Sequence, residues 1–210
     1  MAADSPSEVE VYVEDSVIEG AGQLNVEGTV LNTAPADPAT ADRARITMDL
    51  RRCLVRAPGG VPLFEDEAGN VWLGSSAWVK DRGPANGTYT FEARDCRFEA
   101  TEPYYNIRIS KPPDSSAKFD PGTYNVTLRG NSIVGGGGGA PDLNIFAAGA
   151  EVDARGNCWG RPEGLAPSRL KAEAPAVASQ LDASDPISCE EPDGHLPASR
   201  WLSEGSSGGP

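Results

Sequence analysis

An all-β chain wound as a parallel β-helix, a solenoid of about five to seven rungs with an irregular C-terminal extension, is the fold this sequence predicts. Three observations point there. Five segments align without a gap: Val13-Glu-Asp-Ser-Val-Ile18, Leu50-Arg-Arg-Cys-Leu-Val55, Ala93-Arg-Asp-Cys-Arg-Phe98, Leu128-Arg-Gly-Asn-Ser-Ile133 and Ala154-Arg-Gly-Asn-Cys-Trp159. Two residues upstream of each copy stand Val11, Met48, Phe91, Val126 and Val152, so the alternation of inward apolar and outward polar residues runs through every copy. The third observation is composition: 24 Gly, 18 Pro and only 7% aromatic residues suit many tight corners around a thin interior. A unit that cannot bury its own apolar face must stack on its neighbours.

Each copy reads as a strand, a sharp bend and a second strand. Asp15, Arg52, Asp95, Gly130 and Gly156 stand at the bend, where Gly and Asp tolerate a left-handed backbone and Arg52 fits less well. Ser16, Cys53, Cys96, Asn131 and Asn157 form the next column, at separations of 37, 43, 35 and 26 residues. Further strands are expected at 23–31, 71–79, 106–110 and 143–146, each bounded by Gly, Pro, Asn or Asp. The longer separations require loops at 32–42, 57–69 and 81–87, and Gly135 to Gly139 reads as one more. The expected division is a β-helix over 1–170, an extension over 171–192 packed on the last rung, and a flexible tail over 193–210.

The formal charge of −13 comes from 31 acidic and 18 basic residues. That balance disfavours nucleic acid and anionic membrane as partners. No apolar run is long enough to span a bilayer. Residues 1–11 have neither a basic start nor an apolar stretch, so no secretory signal is expected within them. His195 is the single histidine and lies in the tail, which leaves a Ser-His-Asp or Cys-His arrangement without a base. The Gly-rich stretches lack the Gly-Lys-Ser/Thr ending of a phosphate loop.

The stretch Ala154-Arg-Gly-Asn-Cys-Trp-Gly-Arg-Pro-Glu-Gly-Leu-Ala-Pro167 resembles the closing motif, Asn-Asn-x-Trp-Gly-x-Pro-x-Gly-Pro, of secreted right-handed parallel β-helix proteins of the pectate-lyase-like superfamily. Gly156 replaces the first Asn, and Leu165-Ala166 interrupt the final Gly-Pro. The resemblance implies a right-handed coil with an extracellular or cell-surface, glycan-facing life. That superfamily includes polysaccharide lyases and hydrolases, adhesins, virion components and members without catalysis.

Four cysteines without a Cys-x-x-Cys spacing favour disulfides over zinc. Cys158 with Cys189 would pin the extension over the last rung. Cys53 and Cys96 share a column, and the alternatives there are a bond between neighbouring rungs and two buried free thiols.

The outward residues form two further columns: Tyr12, Asp49, Glu92, Thr127, Asp153, and beside them Glu14, Arg51, Arg94, Arg129, Arg155. Acid and arginine two apart on one strand face are expected to pair across neighbouring rungs, so the default is a solvated ladder. The same residues are the candidate ligand site, with Trp72 and Trp78 as platforms for sugar rings. The resemblance to pectin-type lyases, which use acidic residues to hold calcium and an Arg or Lys as base, implies that Asp49, Glu92 and Asp153 with Arg94 or Arg129 could act on an acidic glycan. No cofactor is expected, calcium being the one alternative, including at Glu65-Asp66-Glu67. The sequence thus predicts a non-catalytic extracellular module for a polysaccharide or a cell-surface protein. A lyase or hydrolase, and a virion or surface-layer component, are the alternatives.

Overall fold

A computed structural model describes residues 8–19, 29–33, 45–57, 69–73, 88–100, 105–109, 123–135, 142–147, 149–172 and 181–189. Among them the chain forms β1 (Glu8–Glu14), β2 (Val17–Glu19) and β3 (Thr29–Thr33); then β4 (Arg45–Arg51), β5 (Leu54–Ala57) and β6 (Gly69–Leu73). Next come β7 (Thr88–Arg94), β8 (Arg97–Ala100) and β9 (Tyr105–Ile109), followed by β10 (Thr123–Arg129), β11 (Ser132–Gly135) and β12 (Leu143–Ile145). β13 (Gly149–Asp153), a 3-10 turn at Pro167–Arg169, β14 (Leu170–Ala172) and β15 (Leu181–Asp182) complete the order. Of the expected loops, the parts at 34–42, 58–68, 81–87 and 136–139 lie outside the described residues, as does the tail.

These strands make three parallel sheets: sheet A, β1-β4-β7-β10-β13-β15; sheet B, β2-β5-β8-β11; sheet C, β3-β6-β9-β12-β14. From β1 to β12 the chain visits A, B and C in strict rotation, and each strand lies beside its counterpart from the previous round. The fold is therefore all-β with parallel sheets, compatible with a solenoid. Side chains of all three sheets meet in one core: Leu50, Phe91 and Leu128 from A, Val55, Phe98 and Ile133 from B, Val71, Ile107 and Leu143 from C. Burying each such side chain is worth about 1.5–3 kcal/mol. Tyr89 and Tyr124, paired across β7 and β10, stack inside with ring centres 4.7 Å apart.

The A-to-B bend sits where the sequence places it. Asp15, Arg52, Asp95, Gly130 and Gly156 all have positive φ, from 48° at Arg52 to 67° at Gly156. Arg52, the poorest fit by residue type, is held there by its side chain: Nε donates to Asp15 Oδ1 at 2.7 Å and an Nη donates to Glu14 Oε1 at 2.5 Å.

The following column runs through the interior as a hydrogen-bonded ladder. Asn157 Oδ1 accepts from the Asn131 backbone N–H at 2.9 Å, Asn131 Oδ1 accepts from Cys96 N–H at 2.9 Å, and Cys96 Sγ accepts from Cys53 N–H at 3.4 Å. Cys53 and Cys96 are on neighbouring layers but are not bonded to one another; both are buried free thiols. This corrects the disulfide alternative. Each sulfur turns to the backbone of its own bend, Cys53 Sγ to Arg51 O at 3.2 Å and Cys96 Sγ to Arg94 O at 3.3 Å, in the place that an asparagine amide takes further along. The neighbouring Cys53 sulfur, foremost, and burial push the Cys96 thiol up.

Sheet C differs from sheets A and B in that its inner strands are buried on both faces, with every residue of β9 and β12 buried. Its outer residues are accordingly joined to one another. Asn70 Nδ2 donates to Asn106 Oδ1 at 2.7 Å, Asn106 Nδ2 to Asp142 Oδ1 at 3.0 Å, and Arg169 closes the row on Asp142 at 2.7 and 3.0 Å.

At the far end Cys158 bridges to Ser132 beside sheet B, and a disulfide joins Cys158 to Cys189 as expected. Trp159 is buried in the core, with Leu165, Leu170 and Leu181 packed against it. The segment after 171 also adds β15 to the edge of sheet A.

Candidate functional site

The outer face of sheet A is built by register. Tyr12, Asp49, Glu92, Thr127 and Asp153 are successive partners, and two residues on so are Glu14, Arg51, Arg94 and Arg129. Arg155 continues the second column just past β13, where its carbonyl accepts from Arg129 Nη1 at 3.1 Å. With strands about 4.8 Å apart, acids and arginines stand in two parallel rows at strand spacing.

Alternate residues of a strand share a face, so most pairs form within one strand. Arg51 binds Asp49 at 2.6 Å, Arg94 binds Glu92 at 3.0 Å and Arg155 binds Asp153 through two contacts of 2.9 Å. β10 has Thr127 where its neighbours have a carboxylate. Arg129 therefore reaches across to Asp153, which receives two guanidinium groups. Arg155, foremost, and Arg129 hold the Asp153 carboxyl well below its ordinary value of 3.8 against the effect of desolvation. Asp153 in turn raises Arg155, and Asp49 raises Arg51.

The guanidinium groups stay partly in solvent, with side chains 51% exposed at Arg51, 52% at Arg94, 34% at Arg129 and 46% at Arg155. Ion pairs this open contribute little to stability. Arginine has five N–H donors, and these pairs use only part of them. What remains is a row of positive, planar donors facing water, suited to carboxylate or sulfate groups. A shallow groove beside it is lined by Asn125, Thr127, Glu151, Val152 and Asp153.

Asp49, Glu92 and Asp153 lie on separate strands along the sheet, each tied to arginine. Among the described residues no group of three or more His, Cys, Asp or Glu is placed to hold a metal ion. Asp49 is the exception to the open geometry: its side chain is 8% exposed and Oδ1 is buried without a hydrogen-bond partner.

Trp72 does not serve as a sugar platform. It is fully buried on sheet C, with the Arg108 guanidinium 5.5 Å from its ring centre. The same guanidinium lies 5.2 Å from Tyr105 and 5.4 Å from Phe146, so these aromatic rings pack around a cation. Trp78, Glu65-Asp66-Glu67 and His195 lie outside the described residues. Reasoning from sequence missed the Asn70–Asn106–Asp142–Arg169 row. Its signal is a short pattern, Asn or Asp followed by apolar, any, apolar, at Asn70-Val-Trp-Leu73, Asn106-Ile-Arg-Ile109 and Asp142-Leu-Asn-Ile145.

No helix among the described residues is long and apolar enough to cross a membrane. The chain matches no protein-family model, no curated protein and no solved structure.

Proposed function

We propose that the three sheets close into a right-handed parallel β-helix, and that the protein is a non-catalytic extracellular module that binds an acidic polysaccharide through the outer face of sheet A. The rotation of the chain through A, B and C supports the closed coil, and parallel crossovers are right-handed in nearly all folds. The Cys158–Cys189 disulfide fits an oxidising compartment.

The observation that carries the binding reading is the row Arg51, Arg94, Arg129, Arg155 at strand spacing. A row of cations carried by successive strands suits a polymer with a carboxylate or sulfate on each sugar, because several weak contacts then act in one event. The carboxylates of the same face are spread along the sheet rather than gathered around a point, which favours holding a chain over cleaving it.

Retention on immobilised polygalacturonate, run with and without calcium, tests the proposal. The intact protein is expected to be retained at low salt and released as salt rises. Arg94→Ala with Arg129→Ala should abolish retention without loss of fold, since both side chains are solvated. Unchanged retention of that double variant, or release of a shortened polymer, overturns it.

A further inference from the structure

The two ends of the strand stack are finished differently. One ends on the buried Trp159, with the half-buried Leu165, Leu170 and Leu181 packed against the core, and is tied by the disulfide. At the other, β1, β2 and β3 are, among the described residues, the outermost strands of all three sheets at once. Val9, Val11, Val13 and Ile18 remain only half-buried there, whereas their partners one layer in, Ile46, Met48, Leu50 and Val55, are buried. Tyr12 is 65% exposed and Val17 38%.

The charge at this end has one sign. Residues 8–19 include Glu8, Glu10, Glu14, Asp15 and Glu19 and contain no Lys or Arg. Arg52 and Arg56 reach Glu14, Asp15 and Glu19 from the next layer. Glu8 and Glu10 make no ion pair among the described residues.

We propose that this end is a docking edge for one extended segment of a partner protein, a segment in which apolar residues alternate with Lys or Arg. Such a strand adds to an open sheet edge through the backbone N–H and C=O groups that an outermost strand leaves unpaired. Its apolar residues cover Val9, Val11 and Val13, and its basic residues face Glu8, Glu10 and Glu14. The inner side of β1 already has such a companion. β4 sets Arg45 against Glu8 and Arg51 against Glu14, with Ile46, Met48 and Leu50 turned inward. A second copy of this chain is a poor occupant. End-to-end contact opposes glutamate to glutamate, and the other edge of sheet A, at β15, carries Asp182, with Asp185 three residues beyond it in the chain.

The test uses the full chain and a dye-labelled, end-blocked synthetic peptide alternating valine with arginine, read by fluorescence anisotropy. Controls are the same peptide with glutamate for arginine and one with a central proline. Saturable binding of the arginine peptide alone is expected, weakened about tenfold or more by Glu8→Arg with Glu10→Arg, a double variant that should instead take the glutamate peptide. Both positions are exposed, so the double variant keeps its fold; Val11→Lys should weaken binding as well. Absence of binding, equal binding of the proline peptide, or indifference to the charge reversal overturns the proposal. So does sedimentation of the free protein as a dimer that the double variant dissociates.

Discussion

Asn157 Oδ1 accepts two hydrogen bonds from Asn131, one from the backbone N–H and one from the side-chain amide, each 2.9 Å long. The Asn157 amide donates in turn to the Leu128 carbonyl at 2.9 Å and the Ala154 carbonyl at 2.6 Å. Both asparagines are fully buried. Asn157→Ala strands these backbone groups away from water and should cost about 2–4 kcal/mol, read from the urea midpoint. Cysteine already fills the column at 53 and 96, so Asn131→Cys should cost less than Asn131→Leu.

Gly130 and Gly156 have nearly the same φ, 66° and 67°, but different surroundings. A Cβ at Gly130 would lie 2.3 Å from Asp95 Oδ1, while one at Gly156 meets nothing within 4 Å. Gly156→Ala should lose only the backbone preference, about 1 kcal/mol. Gly130→Ala must also displace the Asp95 side chain and should be the more destabilising of the two by thermal melting.

The Asp153 carboxyl, depressed by Arg155 and Arg129, sets a direction for acid behaviour. A carboxyl whose folded value lies below 3.8 contributes fully above that pH and loses its contribution as pH falls toward its folded value. Asp15 is lowered by Arg52, and Asp182 by Ser184, in the same sense. Stability should therefore be flat from neutral pH down to about 5 as far as these groups decide it, and decline below about 4. Asp153→Asn should be less stable at neutral pH and show a shallower decline in melting temperature below pH 4.

The Cys158–Cys189 bond closes 31 residues of chain. Cys158→Ser with Cys189→Ser should lower stability by roughly 3–4 kcal/mol in the chain-entropy account. Limited proteolysis of the double variant should release the stretch that carries β15, which the disulfide no longer ties to Cys158.

Sheet A was readable because one face is wet and the other dry, so β7 and β10 alternate in the sequence as they do in space. The bend was readable because five residues in one column share a φ that few residue types accept. Sheet C was harder, since both faces of β9 are buried and Asn106 and Arg108 give no polar-out signal of exposure. Trp72 was misjudged for that reason. On sheet A the columns could be seen but not the pairing, which turns on Thr127: an acid there would have kept Arg129 on its own strand. The unbonded state of Cys53 and Cys96 follows from which backbone carbonyl each sulfur faces, and spacing alone does not carry that.

The interior ladder weakens along its length. Two amides lead it at Asn157 and Asn131, two thiols follow at Cys96 and Cys53, and at Ser16 a hydroxyl reaches only its own layer, to the Glu14 carbonyl at 2.8 Å. Along this column neighbouring layers are therefore joined most firmly beside the disulfide and least firmly at Ser16. Pulled by its two termini, the protein should peel from the first strand inward, with force steps that climb toward the asparagines. Its brittleness has a direction.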